Sequence, residues 1–262
     1  MEVSIISSFL GPEEEGIPRL ARMGYRRVEA NRRHKSTLPA PQLRAVCVQH
    51  GIEIHSLLGS DRQLVGPDAQ VREERLATLI DNLDWACELG ARIVEVVPIW
   101  APTSDSRAQA WERAVGVLRA AAEEAGKRRL VLALEPVCRH QSDLIITLAQ
   151  AAQMVEAVGS DHLRIMADVH HTYIEESHPL RALSAVRDLL VHFHFSDNGR
   201  LPPGLGHLDL KALVGHLMDM GYDGSLSMSE IDPVPEAEAA ARISFVYTSA
   251  LLDACAARRR LS

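Results

Sequence analysis

Cysteine is scarce and scattered in this chain, and that alone removes two classes of protein. Cys47, Cys87, Cys138 and Cys255 lie far apart, with no CxxC spacing. Neither a cysteine zinc framework nor a disulfide-stapled secreted domain fits that pattern, whereas reduced thiols in a cytoplasmic protein do. Long hydrophobic runs are also missing. No stretch approaches the roughly 18 apolar residues of a membrane span. No basic segment with a long apolar core precedes Glu2-Val-Ser-Ile-Ile6, so no secretory leader is expected. Clustered positive charge is lacking too. The net charge is −7, and the basic runs at Arg26-Arg27, Arg32-Arg33 and residues 258–260 are short. They read as solvated faces and a tail, which excludes a nucleic-acid groove. No glycine-rich GxGxxG or GxxxxGK[ST] follows the first apolar run, which disfavours a dinucleotide or P-loop fold. No linker or low-complexity stretch interrupts the 262 residues, so one domain spanning 1–262 is expected.

What the chain has is regular alternation. Strand-like runs fall at residues 3–6, 27–30, 52–57, 92–98, 130–137, 163–169, 190–196 and 225–231. Most are rich in Val, Ile and Leu, as parallel strands buried on both faces are. Helical patterns occupy 13–23, 41–50, 68–89, 106–127, 144–158, 180–188, 209–220 and 235–259. Gly24, Gly51, Gly90, Gly126, Gly159 and Gly221 follow or end these patterns, where a left-handed cap suits glycine, and Asp209 is placed to cap a helix N-terminus. Strict alternation means an α/β fold with a parallel sheet. Eight units within about 250 residues favour the closed (β/α)8 TIM barrel over an open sheet.

Polar residues sit at the ends of several apolar runs. Glu135 follows Leu130-Val-Leu-Ala-Leu134, Asp168 follows Leu163-Arg-Ile-Met-Ala167, His194 closes Leu190-Val-His-Phe-His194, and Glu230 follows Ser225-Leu-Ser-Met-Ser229. In a barrel these ends form the active face. Each residue has an ordinary reading: Glu135 an ion pair with Arg139, Asp168 a helix N-cap, His192 or His194 a packed core histidine. Together, three carboxylates and one imidazole make a metal set of Glu135, Asp168, His194 and Glu230. His194 is preferred to His192 because it lies nearer the strand end. Such oxygen-rich ligation suits one divalent ion, Mn²⁺ ahead of Mg²⁺ or Co²⁺. His171, in the loop after the sixth strand, and Arg200, in Ser196-Asp-Asn-Gly-Arg200, are placed to stabilise a substrate oxyanion. Pro203-Gly-Leu-Gly206 reads as a tight turn into the next helix.

These motifs, in order, resemble the xylose-isomerase-like superfamily of sugar isomerases and epimerases. The likeness runs through Gly24-Tyr-Arg-Arg-Val-Glu29, Leu134-Glu-Pro136, Asp168-x-x-His171, His192-x-His194, Pro203-Gly-x-Gly206, Gly221-Tyr-x-Gly224 and Glu230. It is strongest to ketohexose 3-epimerases and hydroxypyruvate isomerases. The resemblance implies the same four metal ligands, Glu135 and Glu230 as the acid/base pair, and His171 and Arg200 as substrate contacts. The family pattern Glu-Pro-x-Asn-Arg-x-Glu is here Glu135-Pro-Val-Cys138-Arg139-His140-Gln141. Gln141 thus stands where the family binds sugar hydroxyls with an acid. The expected chemistry is proton abstraction and return by the two glutamates on a small ketose or keto-polyol, through a metal-held enediolate. A keto-polyol dehydratase of the inosose type is the alternative. A phosphodiesterase of the abasic-site endonuclease type lacks its extra ligands here, and a non-enzymatic sugar-binding barrel would not need all four. No nucleic-acid or membrane partner is expected, and a homodimer or homotetramer is left open.

Overall fold

The computed structural model describes residues 1–32, 38–59, 63–104, 106–229 and 231–260, so Glu230 lies outside the described residues. Eight strands are formed: β1 (Glu2–Ile6), β2 (Arg27–Asn31), β3 (Glu53–Leu58), β4 (Ile93–Val96), β5 (Val131–Leu134), β6 (Leu163–Asp168), β7 (Leu190–His194) and β8 (Ser225–Met228). Taken in chain order they close a barrel. The helices are α1 (Glu13–Met23), α2 (Ala40–Gln49), α3 (Ala69–Leu89), α4 (Arg107–Lys127), α5 (Leu148–Val158), α6 (Val169–Glu175), α7 (Pro179–Ala185), α8 (Leu210–Asp219) and α9 (Ala237–Arg259). The fold is therefore the (β/α)8 barrel expected from the alternation.

Contacts within the chain fall into two compact units. One comprises residues 1–54, 168–170 and 192–262. In it β1 pairs in parallel with β2 and with β8, and β7 pairs with β8, Phe193 opposite Leu226. Tyr25 is fully buried, its ring centroid 4.9 Å from that of Phe245. Its hydroxyl donates to the Ala241 carbonyl at 2.8 Å, so a large apolar body is buried without stranding its polar tip.

The other unit comprises residues 55–167 and 171–191. Parallel pairing runs from β3 through β4 and β5 to β6, with Val94 opposite Leu132 and Leu134 opposite Ile165. Ala110, Ala114, Leu118, Ala121, Ala122 and Ala125 form the buried stripe of α4 at three- and four-residue spacing. Small side chains there let the helix lie close to its neighbours. Thr147 and Gln150 form a reciprocal capping box at the start of α5. That box starts the helix at Leu148, four residues later than the apolar pattern suggests.

Two further expectations are corrected. Gly126 is not a left-handed cap. It lies inside α4, and Arg129, at φ 58°, takes the left-handed turn instead. The absence of a side chain at Gly126 serves packing, since a Cβ there would lie 2.8 Å from the His162 ring. The expected single helix at 180–188 is α7, preceded by a separate short helix, α6. His171 therefore stands on a helix and not in a loop. Asp209 does cap α8, accepting from the Ala212 N–H at 2.9 Å.

Candidate functional site

In the first unit Asp168, the last residue of β6, meets His194, the last residue of β7. Both are buried, and His194 Nδ1 lies 3.5 Å from Asp168 Oδ2. Asp168 Oδ1 accepts the His170 N–H at 2.7 Å, so the N-cap reading of this residue is also right. It uses only one of the two oxygens. Oδ2 remains for other work and takes Arg200 Nη1 at 2.7 Å. Arg200 thus reaches a carboxylate assigned to the metal, where the sequence places it only over substrate oxygens.

His194 Nε2 lies 3.1 Å from Glu29 Oε1, and His192 Nε2 lies 2.6 Å from Glu29 Oε2. An ionised carboxylate only accepts hydrogen bonds, so both imidazoles present Nε2–H to Glu29. With Nε2 turned to Glu29, Nδ1 is the His194 nitrogen that faces Asp168 and the atom a cation would take. Burial pushes the Glu29 carboxyl up, but the charges and hydrogen bonds of His194 and His192 outweigh it and hold Glu29 well below the usual range. Two lone pairs facing each other across 3.5 Å suit ligands of one cation. With metal–ligand distances of about 2.0–2.2 Å, adjacent ligand atoms lie about 3 Å apart. The donor set therefore fits a divalent ion. The geometry also separates the two histidines: His194 faces Asp168, while His192 is committed to Glu29.

Arg200 closes a short 3-10 turn, Asn198–Arg200, in which Gly199 has φ 63° and Arg200 itself φ 67°. A left-handed conformation at arginine is held here from outside. The Asp197 carboxylate accepts the N–H groups of Asn198, Gly204 and Leu208 at 2.9, 3.1 and 3.0 Å. The Arg200 carbonyl accepts the Asp232 N–H at 2.7 Å. Gly206 is required by close approach, since a Cβ there would lie 2.3 Å from Asp197 Oδ1. The expected tight turn at Pro203-Gly-Leu-Gly206 is thus part of the device that aims Arg200.

In the second unit Glu135 follows β5 directly and is buried. It does not pair with Arg139. His171 Nε2 lies 3.9 Å from Glu135 Oε1, and His171 Nδ1 accepts the Cys138 N–H at 3.2 Å. That bond fixes the tautomer, leaving the ring proton on Nε2, directed at Glu135. Because the backbone of Cys138 makes this contact, Cys in place of the family's Asn does not disturb it. Arg139 instead grips Glu175 through Nη2 at 2.7 Å and Nε at 3.0 Å, while its own N–H donates to Glu175 at 2.7 Å. This ties the segment after β5 to the end of α6. Gln141 is half-buried, and its Oε1 takes no hydrogen bond from the described residues.

Glu175 has a consequence for stability. Its hydrogen bonds with Arg139 hold its carboxyl below the ordinary range. A depressed folded-state pKa stabilises above the unfolded value of about 4.3, and that contribution fades as pH falls through the folded value. Glu175→Ala is expected to lower Tm by about 2–4 °C at pH 7. The gap from wild type should close in a Tm series taken down to pH 3. A gap that widens on acidification contradicts this role.

Sequence reading missed Glu29, Ser229, Asp197 and Glu175. Glu29 entered that reading only as the end of a motif; flanked by Val28 and Ala30, it sits mid-strand and not at the strand end.

The comparisons with known proteins agree with this architecture. The family model of the xylose isomerase-like TIM barrel matches residues 17–247. The 3-dehydro-D-guloside 4-epimerase of Escherichia coli K12 is 29% identical over 193 residues, covering 70% of this chain and 74% of its own. The L-ribulose 3-epimerase of Mesorhizobium japonicum is 28% identical, covering 68% of this chain and 61% of its own. In structure, the apo 3-keto-D-glucoside 4-epimerase from E. coli superposes with a TM-score of 0.86 at 24% identity, over 95% of this chain and 99% of its own. At that identity the superposition shows the fold. With a family model matched across most of its length, the chain belongs to the xylose isomerase-like TIM barrel family.

Proposed function

We propose that this chain is a divalent-metal-dependent epimerase or isomerase acting on a keto sugar or keto-polyol. The facing pair of Asp168 Oδ2 and His194 Nδ1, buried and 3.5 Å apart, carries the reading. In a closed parallel barrel the C-terminal strand ends face one mouth. For that reason Glu135, after β5, and Glu230, after β8, are assigned to complete the set. The oxygen-rich ligation with one imidazole favours Mn²⁺ over Mg²⁺ or Co²⁺. When bound, the ion supplies Lewis acidity to substrate oxygens and so lowers the pKa of the adjacent C–H.

The chain's own residues then divide the labour. Glu135 removes or returns the proton at carbon next to the carbonyl, and Glu230 serves the opposite step. His171, held as the Nε2–H tautomer beside Glu135, donates to a substrate oxygen. Arg200 donates to the oxygen on which charge develops. Gln141 replaces an acid, and its amide both donates and accepts, so the pocket tolerates a carbonyl-type group that a carboxylate repels. The relatives named as epimerases support the reaction class, and the name of one of them, 3-dehydro-D-guloside 4-epimerase, gives a keto-glycoside as its substrate. The scattered thiols fit a cytoplasmic setting.

The test is Mn²⁺-loaded protein in D₂O with a panel of free ketohexoses, 3-keto-glycosides and cyclic keto-polyols. Deuterium uptake next to the carbonyl reports proton abstraction before any product is known. Keto-glycosides or keto-polyols should exchange faster than free ketohexoses. Loss of hydroxide in place of simple exchange would mark the dehydratase. Absence of exchange across the panel rejects the proposal. Ketohexose turnover at kcat/KM of ~10⁴ M⁻¹s⁻¹ or more rejects the Gln141 argument.

A further inference from the structure

Glu29 is fully buried in the middle of β2, yet three donors converge on its carboxylate. His194 Nε2 and the Ser229 hydroxyl reach Oε1 at 3.1 and 2.8 Å, and His192 Nε2 reaches Oε2 at 2.6 Å. The serines behind it form a directed chain. Ser229 spends its proton on Glu29, so Ser227 must donate to Ser229 across 2.8 Å, and Ser4 donates to Ser227 across 3.0 Å. Every hydroxyl in the row points its proton toward the same carboxylate, and such chains polarise cooperatively.

We propose that Glu29 is a positioning residue for His194. It holds the Nε2–H tautomer and so aims the Nδ1 lone pair at the point shared with Asp168 Oδ2. The inference rests on the reading of Asp168 and His194 as ligands. His192 has a matching task. By engaging the second oxygen of Glu29 it prevents the carboxylate from rotating away from His194, which accounts for two histidines in His192-x-His194. An amide replaces the carboxylate poorly. With its NH₂ toward His194 and Ser229 it meets two donors, and with its NH₂ toward His192 it fits only if that ring gives up its Nε2–H; either way the negative charge behind His194 is lost. If His194 swaps tautomer to relieve the clash, its Nδ1 becomes protonated and can no longer bind a cation. A carboxylate behind a ligating imidazole also raises the basicity of the ligand.

The experiment measures Mn²⁺ affinity by calorimetry for wild type, Glu29→Gln and His194→Ala, with Tm of each metal-free protein. Long-range ¹H–¹⁵N spectra of histidine-labelled, Zn²⁺-loaded protein report the tautomer directly. Glu29→Gln should weaken binding about 10–100-fold, in line with outer-shell partners of metal ligands. His194→Ala should weaken it at least as much. Metal-free Tm should stay within a few degrees, and wild-type His194 should be protonated at Nε2. Glu29→Gln within twofold of wild type, while His194→Ala loses the ion, overturns the role of Glu29 and leaves the ligand reading standing. Unchanged affinity in His194→Ala overturns both. Should Glu29→Gln not fold, the wild-type tautomer decides, and a proton on His194 Nδ1 overturns the proposal.

Discussion

Glu135→Gln is expected to cut turnover by about 10²–10⁴-fold, the range over which a positioned acid–base group contributes. The amide keeps the size of the side chain, so the buried position after β5 is not opened into a cavity. What is lost is the proton carrier and, with it, the charge of one assigned metal ligand. His171 sits 3.9 Å away with its Nε2–H directed at this carboxylate, and the Cys138 N–H that fixes the ring is untouched by the change. With Mn²⁺ held at saturation the loss should therefore fall on kcat far more than on KM. Each glutamate serves one direction, so solvent-deuterium exchange should be lost with the epimer that Glu135 deprotonates and kept with the one that Glu230 deprotonates. Activity within a few-fold of wild type, or exchange lost with neither epimer, would remove Glu135 from the proton-transfer step.

Asp168→Asn is expected to weaken divalent-metal binding by 100-fold or more. Outer-shell changes alone cost about 10–100-fold, and here a charged ligand itself is lost. Asp168 divides its work between its two oxygens. Oδ1 caps the start of α6 through the His170 N–H, and Oδ2 faces His194 and Arg200. An asparagine can keep its carbonyl on one side only. If it keeps the cap, an NH₂ group faces the Arg200 guanidinium, donor against donor. If it faces Arg200, the cap is lost and no charge remains for a cation. The variant should fold but lose Mn²⁺ in calorimetry, with either the α6 cap or the anchor of Arg200 given up. Mn²⁺ affinity within threefold of wild type would take Asp168 out of the metal site.

Much of this was open to reading from the chain. Val, Ile and Leu runs alternating with helical patterns demand a parallel sheet, because such strands are stable only when covered on both faces. Glu135, Asp168 and His194 were legible because a charged or basic group closing an apolar run needs a partner or a task. The start of α5 at Leu148 was less so, since Thr147 and Gln150 override an apolar pattern that begins earlier. Gly126 misled because glycine near a helix end serves packing against His162 as readily as it serves a left-handed cap.

The sequence by itself determined the alternation, the closed barrel it builds and the polar residues closing its strands, because side-chain periodicity and burial are local properties of the chain. Only the tertiary structure decided what each polar group is bonded to. It gave Arg139 to Glu175, set Arg200 on Asp168, fixed the His171 tautomer through a backbone N–H, and separated His194 from His192 by their places around Glu29. Those choices depend on directions and distances of a few ångströms between residues as many as 165 positions apart, and no spacing along the chain encodes them.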